Sequence, residues 1–153
     1  MKIMPISDSP MAPTGFGTNT RNIASIFASE GHEIGYAGCQ NTEHTKEWKT
    51  PWPLGQEEKT VSFELLPLIY PGQERFGEKS FPNWLQGFEP ELIFTHLDIQ
   101  MFTYVTESKK TSAVSIPFED NDGKQLTRAD FVKLARKAFK MGGKGKYKVA
   151  SII

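Results

Sequence analysis

The chain has 153 residues, with 18 basic and 18 acidic side chains and a formal net charge of zero. Its hydrophobic content of 38% suits an ordinary globular core, and no apolar stretch reaches the length of a membrane span. The single cysteine, Cys39, excludes an intrachain disulfide, and no signal-like segment follows Met1. These features predict one cytoplasmic domain without a metal cluster.

The N-terminal segment predicts a strand, a loop, a helix and a second strand. The apolar run Ile3 to Ile6 forms strand one, and an amphipathic helix of about three turns follows a loop rich in Ser, Pro, Thr and Gly. Thr18 or Thr20 is the expected N-cap, and Gly31 is placed to end the helix in a left-handed conformation. Strand two then spans Glu33 to Ala37, which completes a right-handed βαβ unit.

The loop before this helix is a candidate anion-binding site. First-turn amides carry the positive end of the helix dipole, and Gly15 and Gly17 allow a ligand to approach the backbone. The expected binding residues are Thr14, Gly15, Phe16, Gly17 and Thr18. The alternative is that the glycines serve only a tight turn and the start of the helix.

Two nucleotide-binding loops are disfavoured by the residues present. The dinucleotide fingerprint needs a third glycine, where the chain has Thr20, and an acidic residue after strand two, where it has Tyr36 to Gly38. The phosphate loop of NTPases needs Gly-Lys-Ser/Thr, which does not occur. No cofactor is therefore expected.

The segment from Gln40 to Lys59 is polar and is interpreted as a long loop after strand two. Loops of this length in a compact domain are often functional. Trp48 and Trp52 can stack on a sugar or a base, or they can pack the loop onto the domain. The sequence leaves both alternatives open.

Two more strands and a helix lead to a second candidate site. Thr60 to Leu66 predicts strand three, Ser80 caps a helix that ends at Phe88, and Leu92 to Thr95 predicts a buried strand four. His96 and Asp98 follow strand four directly. Ligands of open α/β sheets bind outside the carboxyl ends of the strands, so this pair is a candidate catalytic site.

The remaining chain predicts a fifth strand at Ala113 to Phe118, a helix from a capping box at Thr127 and Asp130 to Phe139, and a sixth strand at Tyr147 to Ile153. The whole pattern predicts a single α/β domain with a doubly wound, mostly parallel sheet of about six strands. Pro5 conflicts with a central position for strand one and favours a bulge or an edge.

Two polar signals near the C-terminus have ordinary explanations. Residues 128–153 hold eight basic side chains and one acidic side chain, a net charge of +7, which suits either a nucleic-acid surface or, more commonly, a solvated helix face. The Asp120 to Gly123 segment resembles an Asp-x-Asp metal motif and equally well forms a turn. We therefore predict neither nucleic-acid binding nor a metal.

Several spaced segments together resemble the N-terminal domain of a GT-B glycosyltransferase of the group 1, family 4 type. The resemblance covers about residues 1–105. It includes the Gly-rich loop before a helix, a Gly-His-Glu step into strand two, and a strand that ends in histidine. The segments are Ser7 to Thr18, Arg21 to Ala24, Glu30 to Ile34, Tyr70 to Gly77 and Phe88 to Asp98.

The resemblance implies a Rossmann-like domain that transfers a sugar from a nucleotide-sugar donor to a hydroxyl acceptor. The Thr14 to Thr18 loop would lie near the donor diphosphate, and His96 would contact the sugar or assist at the reacting centre. Asp98 or Arg75 would orient the acceptor. Such enzymes use two domains, so a chain of this length is expected to need a second domain, for example on another chain, and to be inactive alone.

Two other functional hypotheses remain at this stage. The chain can be a non-catalytic module that binds a phosphate-bearing ligand or a partner, and, less favoured, it can associate with nucleic acid through its basic C-terminal end. Too few helices are predicted to pack over the apolar terminal strand Val149 to Ile153. This predicts a homo-oligomer or a heteromer in which another chain packs on this segment.

Overall fold

The structure is a computed structural model, and it describes residues 1–41, 43–68, 77–96, 104–105, 111–116 and 147–152, together with Thr127, Asp130 and Lys133. No helix in these parts of the chain is long and apolar enough to cross a lipid bilayer. Several predicted features lie outside the described residues. They are Arg75, Asp98, the segment 120–123 and most of the basic segment 128–146.

The N-terminal unit has the predicted order but a different helix start. Strand β1 is Lys2–Ser7, helix α1 is Gly15–Ser29 and strand β2 is Glu33–Gly38. The N-cap is Thr14 rather than Thr18 or Thr20, so the glycines lie within the first helical turn and the helix has 15 residues. Gly31 has φ +85°, which confirms the predicted left-handed residue after the helix.

The polar segment from Gln40 to Lys59, predicted to be a loop, contains a strand. Strand β3, Thr45–Pro51, pairs antiparallel with strand β4, Thr60–Pro67. The Trp48 ring packs on Phe63 of β4, with ring centroids 5.6 Å apart. The sequence did not reveal this strand because Lys46, Glu47 and Lys49 are exposed and charged, and Thr50 is the one buried residue of β3.

The next elements follow the prediction closely. Helix α2 is Phe81–Phe88, with Ser80 at the N-cap position although its side chain makes no capping hydrogen bond. The side chains of Leu85 and Phe88 are buried, as predicted. Strand β5 is Leu92–His96, so His96 is the last residue of the strand rather than the first after it.

Two further strands complete the described part. They are β6, Thr111–Ile116, and β7, Tyr147–Ile152. The capping box is confirmed, because the Asp130 amide donates to Thr127 Oγ1 at 3.2 Å and the Thr127 amide donates to Asp130 Oδ2 at 3.0 Å. Strand β7 pairs with β5 on one side and β6 on the other, so a partner chain is not needed to complete its hydrogen bonds.

The strands form one sheet in the order β3-β4-β2-β1-β5-β7-β6. Strand β1 pairs parallel with β2 and β5, β2 pairs parallel with β4, and the β3–β4 pair is antiparallel. The prediction of a doubly wound, mostly parallel sheet of about six strands is wrong. The described part is a strand-rich mixed sheet with two helices, because the polar segment after β2 adds an antiparallel edge strand instead of a loop.

The sheet has a buried cluster on each face. Helix α1 packs on one face with Ile3, Tyr36 and Phe94, and helix α2 packs on the other with Met4 and Leu66. Strand β1 lies between β2 and β5, so Pro5 occupies a central strand and the predicted bulge or edge position is wrong. Because side chains alternate along a strand, Ser7 and His96 both face the α1 side at the carboxyl end of the sheet.

Candidate functional site

The predicted anion-binding residues form the first turn of helix α1. Thr14 caps it, with its Oγ1 atom accepting from the Gly17 amide at 3.0 Å and its carbonyl accepting from the Thr18 amide at 3.0 Å. The Gly15 and Phe16 amides have no hydrogen-bond acceptor within the described part of the chain. These two exposed donors are therefore the ones open to a ligand.

The side chain of Asp8 already lies beside this helix end. Its Oδ2 atom accepts from Thr14 Oγ1 at 2.7 Å, and its Oδ1 atom accepts from Gln40 Nε2 at 3.1 Å. A carboxylate here offsets part of the positive field of the helix N-terminus. An anion bound at the Gly15 and Phe16 amides must therefore tolerate this neighbouring negative charge.

The two glycines have different structural roles. A Cβ atom at Gly17 would lie 2.6 Å from the Ser9 carbonyl oxygen and 3.0 Å from that of Ala12, so Gly17 allows the preceding loop to pack on the helix. A Cβ atom at Gly15 would meet nothing within 4 Å. Of the two, Gly15 lies in open space and is the position at which a ligand can approach the backbone.

His96 lies next to this turn because strand β5 ends on the α1 side of the sheet. Its ring contacts Phe16 edge to face, with centroids 5.2 Å apart, and its Nδ1 atom lies 3.0 Å from Thr20 Oγ1. Burial lowers the pKa of His96 from 6.5 to about 4, and the Asp8 charge opposes this effect. His96 is therefore a neutral imidazole at physiological pH.

Thr20, Ser7 and Asp8 also belong to the site, although none of them is among the site residues that the sequence predicts. Thr20 was expected as a helix cap, but its side chain faces the sheet. The signal was present in the spacing, because Thr20 lies three residues before Ile23 and seven before Phe27, on the buried face of α1. Ser7 is two residues from Pro5 and four from Ile3, on the same face of β1.

Other candidate features lie away from this centre. Trp48 packs against Phe63 in the β3–β4 hairpin, and the Trp52 amide donates to the Lys59 carbonyl. A cavity of about 590 Å³ lies in the same connection, and its described lining residues, Gly55 to Lys59, include none of the described site residues. Within the described residues, no group of three or more His, Cys, Asp or Glu side chains is placed to hold a metal ion.

Comparison with protein-family models, with curated proteins and with solved structures gave no match.

Proposed function

We propose that the chain is a glycosyltransferase-like domain that takes part in sugar transfer from a nucleotide-sugar donor. One observation carries the proposal: the open first-turn amides of α1 and the neutral His96 lie side by side, joined by the contact of Phe16 with the His96 ring. Amides suited to a diphosphate and a histidine suited to a sugar hydroxyl are thus on one edge of the sheet.

Each group has a distinct role in this proposal. The Gly15 and Phe16 amides bind the donor diphosphate and offset the charge that develops on the leaving group, without reorganising. His96 contacts a hydroxyl of the sugar near the reacting carbon. Asp98 or Arg75, which lie outside the described residues, would orient the acceptor. The remaining donor contacts come from a second domain, on the same chain or on a partner.

The second candidate is a module that binds the same class of ligand without catalysis. The observation that favours it is the burial of His96, which lowers the pKa of the imidazole to about 4 and so makes it a weak base for catalysis. Turnover separates the two candidates. The isolated chain is expected to be inactive in both, so the assay needs the chain together with its second domain.

Binding is tested with a charge substitution that spares the fold. Gly15→Glu adds a carboxylate at the first helical turn, where it stabilises the helix but repels a phosphate. Gly87→Glu is the matched control, because Gly87 is also exposed, also helical and also has nothing within 4 Å of its Cβ position. Both variants change the net charge by the same amount.

A nucleoside diphosphate is titrated into ¹⁵N-labelled chain, and amide shifts are followed. We expect shifts at Gly15 and Phe16, binding about tenfold weaker in Gly15→Glu, and unchanged binding in Gly87→Glu. Equal weakening in both variants, or shifts confined to the basic residues 144–148, would overturn the proposal. Gly17 is unsuitable for this test, because its substitution disturbs the loop.

A further inference from the structure

Three buried residues, Ser7, Thr20 and His96, form a closed ring of hydrogen bonds. Ser7 Oγ lies 2.8 Å from the His96 carbonyl oxygen, Thr20 Oγ1 lies 3.0 Å from Ser7 Oγ, and His96 Nδ1 lies 3.0 Å from Thr20 Oγ1. Ser7 and Thr20 are fully buried and His96 is 6% exposed. Water is therefore a poor substitute partner for these groups.

Counting hydrogens fixes the direction of every bond in the ring. Three contacts need three hydrogens, and the two hydroxyl groups supply only one each. The carbonyl oxygen only accepts, so the Ser7 hydroxyl donates to it. The contact between the hydroxyls then needs the hydrogen of Thr20. The last contact has no hydroxyl hydrogen left, so Nδ1–H of His96 donates to Thr20 Oγ1.

We infer that Ser7 and Thr20 are positioning residues that hold His96 as the Nδ1–H tautomer, so that its Nε2 atom presents a lone pair to the ligand. This inference rests on the proposed function for the identity of the ligand, a sugar hydroxyl, but the tautomer itself does not. Nε2 makes no hydrogen bond within the described part of the chain. It is the ring nitrogen left for a ligand.

The tautomer determines which chemistry His96 performs. An unprotonated Nε2 accepts a hydrogen bond from a hydroxyl and cannot donate one. Burial disfavours the imidazolium, and among the described residues the Asp8 charge opposes that effect. His96 therefore orients a hydroxyl of the sugar by accepting its hydrogen bond, rather than removing its proton completely.

The tautomer is measured directly by long-range ¹H–¹⁵N correlation of the histidine rings at pH 7, without ligand. His32, His44 and His96 are the histidines of the chain, and His96→Gln identifies the signals of His96. We expect a protonated Nδ1 and an unprotonated Nε2. An Nε2–H pattern for His96 in the wild-type chain would overturn the inference.

Substitutions then test whether the ring is the cause. Thr20→Val removes the acceptor of Nδ1–H and should make the Nε2–H form the major one, whereas Thr20→Ser should keep the wild-type pattern. Thr50→Val is the control, because Thr50 is also buried but lies in β3, with β4, β2 and β1 between it and β5. An unchanged tautomer in Thr20→Val would contradict the inference.

A second variant keeps the test decisive if Thr20→Val fails to fold. Ser7→Ala frees the Thr20 hydroxyl hydrogen, which can turn toward Nδ1 or toward the neighbouring Tyr36 hydroxyl oxygen. Ser7→Ala is therefore combined with Tyr36→Phe, and this double variant should also raise the Nε2–H fraction. Because the tautomer is measured in the free chain, failure of nucleotide binding leaves this result unaffected. Conversely, a wrong tautomer leaves the diphosphate titration at Gly15 and Phe16 unaffected.

Discussion

The burial of His96 predicts a loss of stability in mild acid. The pKa of His96 is about 4 in the folded chain, compared with 6.5 for an unhindered histidine. Between these values the unfolded chain binds more protons than the folded one, so stability is fully present above about pH 7 and falls as the pH is lowered toward 4. Linkage gives a loss of about 2 kcal/mol between pH 7 and pH 4.5.

The assay is urea unfolding at half-unit steps from pH 7.5 to pH 4.5, on the wild-type chain and on His96→Gln. The carboxylates titrate in both proteins, and so does His32, whose pKa is also lowered by burial. Their contributions cancel in the difference between the two curves. We expect that difference to shrink by about 2 kcal/mol at low pH. Parallel curves would refute the conclusion that His96 is buried in the neutral form.

Two further predictions concern the site loop and the thiol. Gly17→Ala should destabilise the chain by about 1 to 3 kcal/mol, because its Cβ would lie 2.6 Å from the Ser9 carbonyl oxygen, while Gly15→Ala should stabilise it by up to about 1 kcal/mol. Urea midpoints measure both, and equal effects would contradict the different roles of the glycines. Cys39 is buried, and burial raises the pKa of its thiol to about 12, so a thiol reagent should label it only as the chain unfolds in urea. Rapid labelling in native buffer would be the contrary result.

The sequence by itself determined the elements that a short apolar run or a helical period indicates. The strands at Ile3 to Ile6, Glu33 to Ala37 and Leu92 to Thr95 are apolar runs of the right length, and their positions are confirmed. Local chemistry also located the left-handed Gly31 and the capping box at Thr127, since both depend on residues close in sequence. The apolar run Leu92 to Thr95 also located His96 at the carboxyl end of its strand.

Only the tertiary structure decided how these elements combine into a site. The start of α1 at Thr14 is stabilised by Asp8, and strand β3 is stabilised by Trp48 packing on Phe63. The loop and the first two turns hold three threonines that can cap a helix, and the Asp8 contact selects Thr14, so the helix cap was predicted wrongly. The Trp48–Phe63 contact joins two different strands and is not visible in a local pattern, so the sheet class was predicted wrongly. The ring that sets the His96 tautomer joins Ser7, Thr20 and His96. Thr20 is 13 positions from Ser7 and 76 positions from His96 in the sequence. Hydrogen bonds between such distant residues exist only after the sheet has aligned β1 with β5 and packed α1 across them.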